Sequence, residues 1–549
     1  MNNSQRPVRT TSLLQTILYA TASLAAASWA GAAPAEVRGT WLTTTGPDHV
    51  RSGANTADVM ADLRAIGLNT VYVETWKNGY TNYPSPTLAA LTGGPDRAPY
   101  LGGSRDLVQE TLIEAHRNQM HHVGWFEYGF AAEFVGSGGG VFSPLGRTAR
   151  DNGWLLEDQS GQFGNGSNGF AWMNPAVPQV RELLIDLTLE AVQRYDLDGV
   201  QYDDRLAWPR EFGWDDTTAA IYQQETGRSL PGSVSDSRFR EWRQGKVTLF
   251  AQELTAAVRA ERPDLLLSVS PSVTSFSDVN YNAEWPDWQN QGLFDEYAVQ
   301  VYRSTTASFN QTLPVQLAQF EPGQRNELVV GLRANGTGGN TTYAALEDMI
   351  ETTRAAGVGG HSIWYSNATR DLYGGQLTAF YDVANEGQAA NPQFDVSRAA
   401  PVVGSLAGSN TWEISVPEGG GYRLIAEIGG RWRELSAGYL PAGARELTVF
   451  GASAVELLED RRPIEPADFN GDGLIDAADY TIWRDTFAST SDLRADQNGD
   501  AFVNLLDYDL WSGGYGLTTP APSTIPEPAS LWLLLGLFGS TKNLRNEEK

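Results

Sequence analysis

Residues 198–205 read DGVQYDDR, an apolar, β-rich segment that runs straight into two adjacent carboxylates, Asp203 and Asp204. Carboxyl groups fixed at the end of a strand can do acid/base work, one giving a proton while another accepts one or attacks. Along a strand, side chains alternate between faces. Val200 and Tyr202 therefore share one face, suited to packing on helices, while Gln201 and Asp203 share the other and point inward. Asp204 should point away from Asp203, so the two are not expected to act as a pair. Asp204 is then a supporting candidate that pins a neighbour such as Arg205 or Arg333.

The second catalytic carboxyl is then Glu127 in GWFEYGF as the preferred partner, with Asp204 close behind. Two carboxyls in one cleft raise each other's proton affinity, which an acid working near neutral pH requires. Other strand-end or loop residues could contact a substrate: Glu74, Trp76, Trp172, Asn174, Gln300, Tyr302, Arg333 and Trp364. The tryptophans serve equally well as packing residues. His121, His122 and His361 lack metal-ligand spacing, and no Cys–His or Ser–His–Asp arrangement stands out. A catalytic zinc is not expected.

The elements that position these residues follow from periodicity. Eight strand-like segments fall at 37–43, 69–76, 122–130, 198–204, 265–272, 296–303, 328–335 and 359–366. Stretches with apolar residues at helical spacing lie between them, including 56–67, 105–119, 343–357 and RELLIDLTLEAVQRYDL just before the DGVQYDDR strand. Eight alternating units predict a (β/α)8 TIM barrel, the fold class α/β, with its site at the carboxyl ends of the strands. An open doubly wound sheet is the alternative, but no glycine-rich phosphate loop follows the first strand. The connection from Ala131 to Asn174, rich in Gly, Ser and Asn, is long enough to be a lid or cleft wall.

A chain of 549 residues needs several folding units, and a net charge of −27 argues against nucleic acid as a partner. The 17 Trp and 21 Tyr suit sugar contacts as well as large cores. Residues 1–32 read as a secretory signal, with Arg6 and Arg9 before an apolar run and Ala30-Gly31-Ala32 as the cleavage site. There is no cysteine, hence no disulfide framework for an exported protein. After the barrel, taken as 36–385, a linker leads to short alternating runs that predict a small antiparallel β domain over 395–462.

Residues 466–516 carry a duplication, DFNGDGLIDAAD (468–479) and DQNGDAFVNLLD (496–507). Oxygen ligands at positions one, three, five, seven, nine and twelve follow calcium-loop logic. The first set is Asp468, Asn470, Asp472, the Leu474 carbonyl, Asp476 and Asp479. The second is Asp496, Asn498, Asp500, the Phe502 carbonyl, Asn504 and Asp507, and it should bind Ca2+ more weakly because Ala501 replaces a glycine and Asn504 removes a charge. Residues 525–549 begin IPEPAS, continue as LWLLLGLFG, too short to span a bilayer unaided, and end in a segment bearing Lys542 and Arg545.

With VRGTW, GLNTVYVETWKNGYTNYPS, GWFEYGF, WMNPAVPQVR, YDLDGVQYDDR, EFGWDD, SVSPS and QVYR in place, the barrel resembles the glycosyl hydrolase-like family 10 proteins. That resemblance implies a (β/α)8 barrel and cleavage of glycans. The duplicated loops resemble a dockerin type I domain, which implies structural calcium and a cohesin-like partner. The tail resembles a PEP-CTERM sorting signal, which implies an exosortase-type enzyme and display at or release from the cell surface. The expectation is an exported glycoside hydrolase acting on a polysaccharide or glycan by two carboxyls, with no cofactor for catalysis. The rivals are a non-catalytic glycan-binding barrel and a surface structural protein that works through its dockerin-like tail.

Overall fold

The computed structural model describes residues 35–515 apart from 103, 137–139, 165–167, 337–338, 395, 441, 463–466, 470–474, 490–493 and 497–502. The leader, the sorting tail and six of the loop positions (Asn470, Asp472, Leu474, Asn498, Asp500, Phe502) lie outside the described residues.

Eight parallel strands close into a barrel: β1 (Val37–Leu42), β2 (Thr70–Glu74), β3 (His121–Phe126), β4 (Gly199–Asp203), β5 (Leu266–Ser270), β6 (Glu296–Gln300), β7 (Leu328–Arg333) and β8 (Gly360–Trp364). Each strand pairs with the next, and β8 returns to β1 with Val37 opposite Gly360. All eight expected strands are present, each ending somewhat earlier than the sequence pattern suggested.

Alternation sorts the side chains as the pleat requires. Val37, Trp41, Tyr72, Val123, Trp125, Leu266, Ala298 and Val329 form one cluster inside the barrel. The opposite faces, including Val71, Val73, Val200, Tyr202, Val299 and Val330, pack under the helices in the main core. Gly39 makes room inside, because a Cβ there would lie 2.9 Å from the Tyr72 ring. Several of the surrounding helices start on side-chain caps, among them Ser52, Asp106, Asp215 and Asp236, each accepting a backbone N–H of the first turn.

The interior also holds a polar chain. Trp41 Nε1 donates to Gln201 Oε1 (2.8 Å), Gln201 Nε2 to Ser268 Oγ (2.8 Å), and Ser268 Oγ to Glu296 Oε1 (2.7 Å), which also accepts from Tyr72 OH (2.9 Å). Burial pushes the Glu296 carboxyl up to about 7 against the pull of those hydroxyls.

Past the barrel, antiparallel strands between Val402 and Glu459 form a four-stranded and a three-stranded sheet. This unit packs along the helix Leu107–Arg117, where Ile113 meets Ile425 and Leu458 and Gln109 Nε2 donates to Glu434 Oε2 (2.7 Å), and it reaches the segment that leads into β4. Arg398, just before it, joins Asp196 Oδ2 (2.7 Å) and Asp198 Oδ1 (2.8 Å), which precede β4, and all three side chains are buried. Arg117 reaches across to Glu456 (2.8 Å) and lies over the Trp432 ring. Beyond it, helices Ala477–Thr486 and Leu505–Gly514 each begin with a capping box, Asp476 with Asp479 and Asn504 with Asp507. Among the described residues no helix is long and apolar enough to cross a membrane.

Candidate active site

At the carboxyl-terminal end of the barrel the last inward residues converge on a cavity of about 140 Å3. Trp41, Trp125, Tyr302 and Trp364 form an aromatic collar, with ring centroids 5.9–6.1 Å from Trp364. Ser270 and Gln300 line one side, with Gln300 Nε2 donating to the Ser270 carbonyl (2.9 Å). Glu127, Asp203, Asp204 and Arg205 complete the wall.

Two strand ends supply the acids. Glu127 follows β3, and the chain then turns through Gly129 at φ 44°, where a Cβ would collide with the Arg205 carbonyl. Phe130 N donates to that carbonyl (3.0 Å), so the loops after β3 and β4 are locked together. Glycine is required for this approach. Asp203 ends β4, and its carboxylate accepts Arg205 N at Oδ1 (2.9 Å) and Arg205 Nη1 at Oδ2 (3.0 Å). The same Nη1 lies 3.7 Å from Glu127 Oε1 and 3.9 Å from Asp204 Oδ1. The guanidinium packs over the rings of Tyr128 (5.3 Å) and Phe170 (4.8 Å). One cation thus faces three carboxyls.

Behind Glu127 stands a second layer. Lys77 Nζ is 2.5 Å from Glu74 Oε1 and 3.4 Å from Glu127 Oε2. Glu74, fully buried at the end of β2, also accepts Thr43 Oγ1 (2.8 Å), Thr44 N (2.8 Å) and the Thr44 hydroxyl. Burial alone would raise Glu74, but Lys77 and these hydrogen bonds hold it below the ordinary carboxyl range. Glu127 moves the other way: burial first, then the charge on Glu74, push it well above that range, with Lys77 and Arg205 pulling back. Burial beside the charged Glu74 therefore favours the protonated form of Glu127. Burial pushes Asp203 well above that range too, with Arg205 opposing and Asp204 adding to the rise.

The cavity gathers Glu127, Asp203, Asp204, Gln300, Tyr302 and Trp364. Asp204 departs from the alternation expectation, because β4 ends at Asp203 and Asp204 already belongs to the turn. Its carboxylate comes to the same mouth and accepts Ser272 Oγ (3.1 Å). Glu74 is corrected from a substrate contact to a buried support for Lys77 and Glu127. Trp76 is fully buried in a short hairpin beyond β2 and donates to the Gly129 carbonyl (3.1 Å). Trp172 is likewise buried and donates to Asn168 (3.0 Å), and Asn174 donates to Thr218 Oγ1 (2.9 Å) inside the core. None of these three reaches the cavity. Arg333 ends β7 beside Trp364, but its guanidinium donates to the Gly339 carbonyl (2.8 Å), away from the cavity wall.

Lys77, Trp41, Trp125 and Ser270 were not singled out from sequence. Trp125 was within reach, because it lies two residues before Glu127 on the same strand face.

Among the described residues no group of three or more His, Cys, Asp or Glu side chains is arranged to hold a metal ion. A Ser–His–Asp contact does exist: His49 Nδ1 meets Ser366 Oγ (2.9 Å) and Nε2 meets Asp371 Oδ2 (3.0 Å). Ser366 is fully buried while the Asp371 side chain is 39% exposed, the reverse of what a nucleophilic serine needs. The contact ties the loop after β1 to the turn after β8.

Residues 36–355 match the family model described as Glycosyl hydrolase-like 10. Curated relatives include the glycosyl hydrolase DigH of Escherichia coli (strain K12) and of Shigella flexneri, each 24% identical over 295 residues. The match takes in 50% of this chain and 64% of the relative's length. Similar solved structures include the PgaB (BpsB) glycoside hydrolase domain from Bordetella bronchiseptica, with 13% identity, TM-score 0.48, and coverage of 65% of this chain and 99% of that one. The beta-amylase catalytic domain from Paenibacillus polymyxa has 10% identity, TM-score 0.44, and coverage of 65% and 100%.

Proposed function

The chain belongs to the glycosyl hydrolase-like 10 family, and from that premise we propose that it hydrolyses O-glycosidic bonds of a polysaccharide or cell-wall glycan, with Glu127 and Asp203 as its two carboxyls. The observation that carries this reading is the shared cation. With Arg205 Nη1 at 3.0 Å from Asp203 and 3.7 Å from Glu127, the two carboxyl oxygens are at most about 6.7 Å apart. That is the scale on which two carboxyls flank a scissile glycosidic bond.

In this proposal Glu127 protonates the leaving oxygen, since its burial beside Glu74 favours the protonated form and two cations stand ready for its anion. As it turns anionic, Lys77 at 3.4 Å and Arg205 at 3.7 Å stabilise the new charge without moving. Asp203, aligned by two hydrogen bonds from Arg205, faces the anomeric carbon or the water that attacks it, and Asp204 helps to hold Arg205. The collar of Trp41, Trp125, Tyr302 and Trp364 offers apolar faces to the ring. Release of reducing ends from a polysaccharide panel tests the proposal. Glu127→Gln and Asp203→Asn should each lower it by two to four orders of magnitude, about what one positioned acid or base contributes. Unchanged turnover in both variants would remove the assignment, and tight glycan binding without turnover would favour a non-catalytic barrel.

The duplicated loops support structural calcium as part of the same proposal. Positions one and twelve of both repeats, Asp468 and Asp479, and Asp496 and Asp507, are buried carboxylates. Such charges fit a hard divalent cation with oxygen ligands. Calcium would stabilise the tail and takes no part in the reaction. The leader and sorting-type tail support export, with a cohesin-like protein as a possible partner of the dockerin-like repeat.

A further inference from the structure

A second cavity, of about 500 Å3, opens beside the mouth between the loops after β1 and β2. The mouth cavity of about 140 Å3 is below the roughly 300–1,000 Å3 usual for ligand pockets, whereas this cleft lies within it. Lys77 forms the partition, lining the cleft while its Nζ stands 3.4 Å from Glu127. A ligand in the cleft is therefore one side chain, Lys77, away from Glu127.

We infer that this cleft binds sugar units of the glycan chain that extends out of the mouth, with Tyr100 as their stacking platform. The inference rests on the glycosidase reading and names the part of the substrate that lies beyond the reacting ring. Tyr100 is 50% exposed, yet its hydroxyl is fixed on Asn82 Oδ1 (2.7 Å), and Asn82 Nδ2 in turn donates to the Glu74 carbonyl (2.7 Å). The ring is tied to the strand end that carries the buried acid, and its face needs no further ordering to receive a ligand. A phenol with a satisfied hydroxyl and an open face suits the C–H face of a pyranose.

The opposite wall supplies hydrogen-bonding groups. The hairpin Trp76–Lys77 and Tyr80–Thr81 turns through Asn78 and Gly79 at φ 54° and 78°, the left-handed pair that a two-residue hairpin turn requires. This turn carries Asn78 to the cleft, where Phe134 N occupies its carbonyl oxygen (2.9 Å) and its amide N–H groups remain for sugar hydroxyls. The cleft's three cations each have an acid beside them: Lys77 has Glu74, Arg105 has Glu110 and Arg51 has Asp48. The acids stand behind the cations and outside the lining, so Lys77, Arg105 and Arg51 remain as donors toward sugar oxygens.

The test uses the full chain and gluco-, xylo- and chito-oligosaccharides of two to six units. Dissociation constants are measured on the Glu127→Gln protein, with hydrolysis followed on the parent. Affinity should grow with chain length beyond two units, and Tyr100→Ala should weaken binding of four-unit and longer chains about tenfold while Tyr100→Phe stays within about twofold. Length dependence unchanged by Tyr100→Ala, or no binding of any oligosaccharide, would overturn the inference. Length-dependent binding lost in Tyr100→Ala without turnover by the parent would keep the cleft and remove the hydrolase reading. Turnover with unaltered length dependence would do the reverse.

Discussion

Replacing Arg205 by Met removes the cation that three carboxyls face and leaves a side chain of similar reach. At an effective dielectric of about 20, unit charges 3.0 Å apart, as between Arg205 and ionised Asp203, attract by roughly 5.5 kcal/mol before desolvation is counted. After desolvation, breaking a buried pair costs about 3–5 kcal/mol. Asp203 does not have to stay charged at that cost, because it can take a proton instead. Its carboxyl, already raised by burial, should therefore rise further once the guanidinium is gone. Hydrolysis that needs ionised Asp203 is lost as pH falls through its pKa. The acidic limb of kcat/KM should therefore move to higher pH in Arg205→Met, and activity on that limb should fall about 100-fold, the equivalent of about 3 kcal/mol. Stability follows with a definite sign. A carboxyl whose folded pKa lies above its unfolded one costs stability as pH rises between the two values. The variant should thus be closer to the parent at pH 4–5 than at pH 8. Paired pH–rate and pH–melting profiles provide the assay, with Arg205→Lys as the variant that keeps a charge. An acidic limb that does not move, together with a stability loss independent of pH, would refute the reasoning.

At the barrel floor, Arg398→Met should leave Asp196 and Asp198 buried without their guanidinium and cost about 3–5 kcal/mol, read as a lowered denaturation midpoint. Glu296, raised to about 7 from an ordinary 4.5, should make stability fall by about 3 kcal/mol as pH rises from 4.5 through 7. Glu296→Gln should flatten that slope in pH-dependent melting. Calcium should raise the melting transition of the tail in the full chain, a chelator should reverse it, and Asp468→Asn with Asp479→Asn should abolish most of it. A tail transition identical with and without calcium would contradict the metal reading.

How much of this was legible in sequence depended on where strands stop. Within a strand, alternation is enforced by the pleat, so Gln201 inward and Asp203 inward follow from Val200 and Tyr202 outward. Applied to β3, the same rule places Trp125 beside Glu127. Glu127, one residue past β3, still keeps that parity, but one residue past β4 it fails, and Asp204 turns back to the mouth to meet Ser272 and Arg205. Trp76 shares alternation parity with Glu74, but β2 has ended by then and the indole turns under Gly129. Lys77 was hidden for a different reason. Its role depends on burial beside Glu74 and Glu127, which come from two strands, and no spacing along the chain encodes that contact. Arg333 sits at an inward register position, but its length lets the guanidinium leave the mouth for the Gly339 carbonyl.

The central claim is that Glu127 delivers the proton to the leaving oxygen, and leaving-group dependence tests it most directly. Dinitrophenyl glycosides of whichever sugar the parent releases need no protonation to depart. The account predicts that Glu127→Gln keeps most of its turnover on the dinitrophenyl glycoside while losing two to four orders of magnitude on the natural glycan. Equal loss on both substrates, or no loss on the glycan, would contradict it.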